Sequence, residues 1–223
     1  MNSGRRQVVV VLAATWVIVP AALALARWPQ WWAWIAPEQT PMTWLQSVAL
    51  MLAAAACVLV AHVLRRTAGS GNRVWWLLAS GFAALSIDER FALHERIRDG
   101  LLAPREIGVP FLPWVAPGDF LLVIVALGGL AALPFVWRAM ADDNGARWAL
   151  VTGVALAVVA VGMDSIDPTT WTTTAERVQQ TAEEVVELGS ALALLAAVTF
   201  RLLGLLDHQL GQPIDPMLDK KSV

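Results

Sequence analysis

Six predominantly apolar runs divide this chain, near residues 8–26, 44–64, 74–93, 119–137, 148–167 and 185–206. Each is long enough to cross the hydrocarbon core of a bilayer, which takes about 20 residues of helix. Inside hydrocarbon every backbone N–H and C=O needs an internal partner, so runs of this length read as helices. The expected fold is all-α: a polytopic membrane protein, one domain spanning 1–223, built as a single bundle of six transmembrane helices. Charged residues make up 15% of the chain against about 25% in soluble domains, which excludes a soluble enzyme or a disordered chain. Net charge −2 leaves no basic face for nucleic acid, and the single cysteine, Cys57, excludes an intrachain disulfide.

Basic residues set the expected orientation. Arg5, Arg6, Arg65, Arg66, Arg73, Arg138, Arg147, Lys220 and Lys221 fall on one side, so both termini are expected in the cytoplasm. Loops 27–43, 96–118 and 168–177 then face outward, and the Pro-containing loop 96–118 is long enough to serve as a lid. The first run is longer than the apolar region of a signal peptide, so it reads as an uncleaved span. Tryptophans gather at the outer ends (Trp28, Trp31, Trp32, Trp34, Trp44, Trp114, Trp171), as an amphipathic indole prefers the interface. The layout matches a bacterial-type cytoplasmic (inner) membrane. No internal repeat is visible.

The informative residues are acids placed where charge is expensive. Asp88, Glu89, Glu95, Asp164, Asp167, Glu176, Glu183, Glu184 and Glu187 cluster at three span ends that the topology brings to one outer depth. Glu176, Gln180, Glu183, Glu184 and Glu187 follow helical spacing along one face. Asp88 and Glu95, seven apart, are expected to share a face on the third span. Taken singly, several residues have plainer readings. Glu176 fits a capping box with Thr173, Asp119 fits an N-cap, Asp164 and Asp167 can end a helix ahead of Pro168, and Arg90 can neutralise Asp88 or Glu187. Taken together, the few cations nearby (Arg90, Arg96, His94) do not balance these carboxylates, so bound protons or a bound cation must.

A set of carboxylates with one imidazole suits Fe, Mn, Mg or Ca better than structural zinc. The expected metal ligands are Asp88, His94, Glu95, Asp164, Glu184 and Glu187, with His94, Glu95 and Glu183 as the proton-moving catalytic groups. The Glu-x-x-His pairs of carboxylate-bridged four-helix sites are absent, because Phe91 stands three before His94. Three readings remain open on sequence: a metal-dependent enzyme acting on a lipid or other amphiphile, a non-enzymatic subunit or sensor with a structural ion, and a cation- or proton-coupled transporter. The membrane lipids are the partner that composition itself implies.

Overall fold

The computed structural model describes residues 3–68, 73–109, 120–164 and 171–210. Asp119, Asp167, Pro168 and the 110–118 part of the expected lid lie outside the described residues. Helices occupy all six apolar runs: α1 (Ser3–Ala26), α2 (Pro41–Ala68), α3 (Arg73–Phe91), α5 (Phe120–Ala139), α6 (Asn144–Asp164) and α7 (Thr173–Leu210). A short helix, α4 (Leu93–Ile97), follows α3 and runs into a π turn (Arg98–Leu102) and a 3-10 turn (Ala103–Arg105). The start of the expected 96–118 loop is thus coiled, with Leu102 buried.

Four of these helices, α1, α2, α6 and α7, are long and apolar enough to cross a membrane. The described apolar stretch of α5 is shorter, and α3 carries Asp88, Glu89 and Arg90 near its end. The protein is therefore all-helical among the described residues, with membrane-spanning length in at least these four.

Local chemistry explains where the helices start. Thr40 precedes α2 and accepts the Met42 N–H on its hydroxyl (3.3 Å), and Pro41 then supplies a preset φ at the first helical position. Thr172 does the same for α7, accepting the Ala175 N–H at 3.3 Å. The expected Thr173–Glu176 capping box does not form, because the cap sits one residue earlier. From there α7 runs for 38 residues, about 57 Å at helical rise, well beyond one hydrocarbon thickness. Glu183, Glu184 and Glu187 consequently lie well inside a helix rather than at its opening.

Helix α7 packs against α1, α2 and α6, and α2 packs against α3 and α7, so α2 and α7 form the centre. Their contact is lined by small or compact residues, among them Ala49, Ala53, Cys57 and Val60 of α2 with Leu188, Ala191 and Leu192 of α7. Small side chains let backbones approach closely where no water drives association. Three polar latches fix the register. Ser47 and Ser86 each donate to the other's carbonyl at 2.8 Å, joining α2 to α3. Ser190 donates to the Gly153 carbonyl at 3.0 Å, joining α7 to α6. Trp16 of α1 donates its indole N–H to the Val185 carbonyl at 2.7 Å and lies against Gly189. At the other end Arg5 grips Asp143 through two bonds of 2.9 and 2.6 Å, and Asp143 also accepts the Ala146 N–H at the start of α6.

Gly153 exists at its latch for space. An added Cβ would lie 2.7 Å from Leu194 Cγ and 3.1 Å from the Leu194 backbone nitrogen, which cannot step aside. Gly153→Ala is therefore expected to destabilise the protein by roughly 1–3 kcal/mol through overpacking. Gly162→Ala on the same helix meets nothing within 4 Å and gains helix propensity, so its melting temperature should equal or exceed wild type. Thermal melts in detergent compare the two; equal losses for both would contradict this packing.

Candidate metal centre

The site begins with a corner. Helix α3 stops at Phe91 because Ala92, 2% exposed, takes a left-handed conformation with φ 48° and ψ 50°. An alanine there costs of order 1 kcal/mol or more, so something must hold it. Asp88 does, accepting the His94 backbone N–H at 2.8 Å with one oxygen and meeting His94 Nδ1 at 2.8 Å with the other. The corner also breaks the helical phase. The expected common face of Asp88 and Glu95 does not exist, since no single helix contains both.

What the corner leaves facing α7 is Glu89. One of its carboxylate oxygens and one each from Glu184 and Glu187 lie within 4.8 Å of one another. Two of the latches described above sit one turn from this triad: Ser86 is three residues before Glu89, and Ser190 three after Glu187. The first holds α3 on α2 and the second holds α7 on α6. Helix α2 closes the third side with Gln46, the neighbour of Ser47. Gln46 is 1% exposed and donates to the Glu184 carbonyl at 2.9 Å and to Glu184 Oε2 at 3.0 Å. Its own carbonyl oxygen is buried with no hydrogen-bond partner.

The other acids divide by their direction around α7. Successive residues point about 100° apart, so Glu183 and Glu184 cannot face the same neighbour. Glu183 turns toward α6, where it takes a 2.8 Å bond from Gln179 and lies in electrostatic reach of Asp164. Gln179 also donates to the Met163 carbonyl at 3.0 Å, holding the end of α6 against α7. Glu95, on α4, pairs with Arg98 at 3.2 Å. Asp88 and His94 pair with each other. Of the residues expected as ligands or proton carriers, Glu184 and Glu187 fall in the triad, Glu183 and Asp164 form a second contact beside it, and Asp88, His94 and Glu95 form the α3–α4 rim.

Arg90 stacks over the Phe91 ring, 6.0 Å from its centroid, and no acid lies within ion-pair distance of it among the described residues. The plainer reading of Arg90 as a counter-charge for Asp88 or Glu187 is therefore not what the fold does. The triad has no basic side chain bonded to it among the described residues.

Sequence reasoning passed over three contributors. Glu89 belongs to the acidic cluster of the sequence, but phase carried through an unbroken helix favours Asp88 and Glu95 instead. Gln46 was legible as a lone amide in an otherwise apolar run, a placement that asks for a partner. Glu38, the acid of loop 27–43, lies in electrostatic reach of Glu95, His94, Asp88 and Asp164 from above. Burial first, then the charge of Glu95, pushes its carboxyl up to about 7. Burial alone would lower the His94 imidazole, but the Asp88 hydrogen bond and the surrounding acids outweigh it and raise His94 above the usual range.

Residues 6–202 match the family model described as Domain of unknown function (DUF8692). The chain belongs to that family. The triad, Gln46, Glu38 and the Asp88–His94 pair all fall inside the matched segment. No curated protein and no solved structure matches the chain.

The Glu38 carboxyl gives a pH test of this geometry. In metal-free protein it keeps its proton in the fold at pH values where the unfolded chain has released it, so its contribution to stability is lost as pH rises from 4.5 to about 7. Glu38→Gln cannot ionise. In a chelator it should melt above wild type at about pH 8 and level with it at about pH 4. A difference that does not change with pH would place Glu38 away from the cluster.

Proposed function

We propose that this protein is an integral membrane enzyme with a divalent metal centre held by Glu89, Glu184 and Glu187, acting on an amphiphilic substrate at the outer face of a bacterial-type inner membrane. The observation that carries the metal reading is the triad together with the unpartnered carbonyl oxygen of buried Gln46 beside Glu184. Three carboxylates and an amide oxygen form a hard donor set, suited to Mn, Fe, Mg or Ca. Like charges this close at membrane depth need a cation or protons, and Arg90 supplies neither.

A bound divalent ion there would supply Lewis-acid activation of water or a substrate oxygen. The chain's own groups support an enzymatic reading on that centre. Asp88 occupies His94 Nδ1 and fixes the ring, which leaves Nε2 as the nitrogen able to accept or return a proton. Glu183 and Asp164 hold a second acid–base contact on the α6 side. Beyond the triad, Ala49, Ala53, Leu188 and Leu192 form a packed apolar floor. A closed floor favours chemistry at one membrane face over a path for ions through the bundle, which is why transport ranks below enzyme here.

In this reading α3 and α5 also span, giving six crossings with both termini cytoplasmic. Reporter fusions at residue 70 and residue 107 should then report opposite sides, cytoplasmic and external. The same side for both would sink the topology.

Elemental analysis of detergent-purified protein tests the centre. Wild type should carry stoichiometric metal, and Glu187→Gln or Glu89→Gln should lose it. Glu95→Gln, whose carboxylate is engaged by Arg98, should keep it. A metal-replete Glu187→Gln protein would defeat the metal reading. Metal retained without turnover on any amphiphile would move the assignment to a structural ion in a subunit or sensor.

A further inference from the structure

Arg177 is the first basic residue of α7, and the next on that helix is Arg201. It stands seven residues before Glu184, two turns away on the same helix face and about 10 Å along the axis. Glu176 precedes it in sequence, yet among the described residues no carboxylate lies within ion-pair distance of it. Its guanidinium carbon instead lies 3.3 Å from the centroid of the Trp32 ring, the shortest such stack among the described residues. Trp32 is a fixed platform. Its carbonyl accepts the Ile35 and Ala36 N–H groups at 2.9 Å each, and those two side chains are buried in the core at 2% and 7% exposure. A neighbouring pair repeats the arrangement more loosely, with Arg27 over Trp34 at 5.3 Å.

Stacking of this kind fixes the plane of a guanidinium and leaves its N–H edge for a planar or tetrahedral anion. A guanidinium stacked on an indole with no carboxylate paired to it keeps that N–H edge for a ligand from outside. We infer that Arg177, held flat on Trp32, is the receptor for the phosphate of an anionic headgroup, so that the substrate class of the proposed enzyme is a phosphate-bearing amphiphile. The inference rests on the metal-enzyme reading for the fate of the ligand, and not for its binding. The division of labour follows from charge. The triad repels anions unless a cation fills it, and Arg177 holds the phosphate two turns away from that repulsion.

The test uses full-length protein in detergent micelles, titrated calorimetrically with dioctanoyl phosphatidic acid, with dioctanoylglycerol as the uncharged control. Metal content is measured on the same samples. Wild type should bind the phosphatidic acid at least about tenfold more tightly than the control, as a charge-assisted bidentate contact provides. Arg177→Gln should lose roughly ten- to a hundredfold of that affinity while leaving dioctanoylglycerol binding and metal content unchanged. Arg177→Lys should recover part of it, since an ammonium keeps the charge but not the fork or the stack. Trp32→Leu, which removes the platform and spares the arginine, should fall between wild type and Arg177→Gln. No competition by inorganic phosphate or glycerol 3-phosphate at matched concentration is expected for a membrane-lipid ligand; competition as tight as the phosphatidic acid itself would identify a soluble phosphate and overturn the amphiphile assignment. Equal binding of phosphatidic acid and dioctanoylglycerol, or undiminished binding by Arg177→Gln, would overturn it. Arg177-dependent binding in wild-type protein that carries no metal would remove the metal centre and leave the receptor standing.

Discussion

Three carboxyl groups drawn within 4.8 Å where α3 meets α7 repel one another, and in a medium of low dielectric that repulsion is not screened by water. Nothing in the apolar packing around them offsets it. Ser47 with Ser86 nonetheless holds α3 on α2, Ser190 with Gly153 holds α7 on α6, and Gln46 ties α2 to α7 at Glu184. These latches make the cluster a property of the fold, and a cation or shared protons then become a requirement of the site. The buried amide of Gln46 follows the same logic, with its N–H groups spent on Glu184 and its oxygen left over.

The left-handed corner at Ala92 is the second element on which the arrangement depends. It folds His94 back over Asp88, which already points about 100° away from Glu89 on α3, so that one sequence of adjacent acids serves two purposes. Glu89 goes to the shared cluster, and Asp88 stabilises the corner and orients an imidazole. A straight helix through this segment would have placed His94 and Glu95 farther along the same axis, away from loop 27–40. Instead Glu38, from that loop, comes within electrostatic reach of both sides of the corner.

Much of the architecture was legible because hydrocarbon allows so few solutions. Apolar runs of spanning length predict helices, and helices stand at all six places. The acids of α7 were legible as well, since 3.6-residue periodicity holds along an unbroken helix. The pairing of Glu184 and Glu187 within one cluster follows from that spacing. What escaped was whatever depended on a break in periodicity or on a contact between distant segments. Ala92 has no turn chemistry in its sequence, neither glycine nor asparagine, so the corner could not be read and Asp88 was placed where Glu89 stands. Glu183 and Glu184, placed on one face by spacing, stand about 100° apart on α7, and which of α2 and α6 each faces depends on packing. Thr172 rather than Thr173 caps α7, a shift of one residue within a run of threonines that are alike in propensity.

In the proposed metal centre, a cation bonded to all three carboxylates balances the charge of the triad. Crystals grown with manganese, with data collected at its absorption edge, test this most directly. An anomalous peak bonded to carboxylate oxygens of Glu89, Glu184 and Glu187, with Gln46 Oε1 turned toward it, is the expected result. A map without a peak there, with the three carboxyl groups hydrogen-bonded to one another, would show a proton-sharing network and contradict the metal centre.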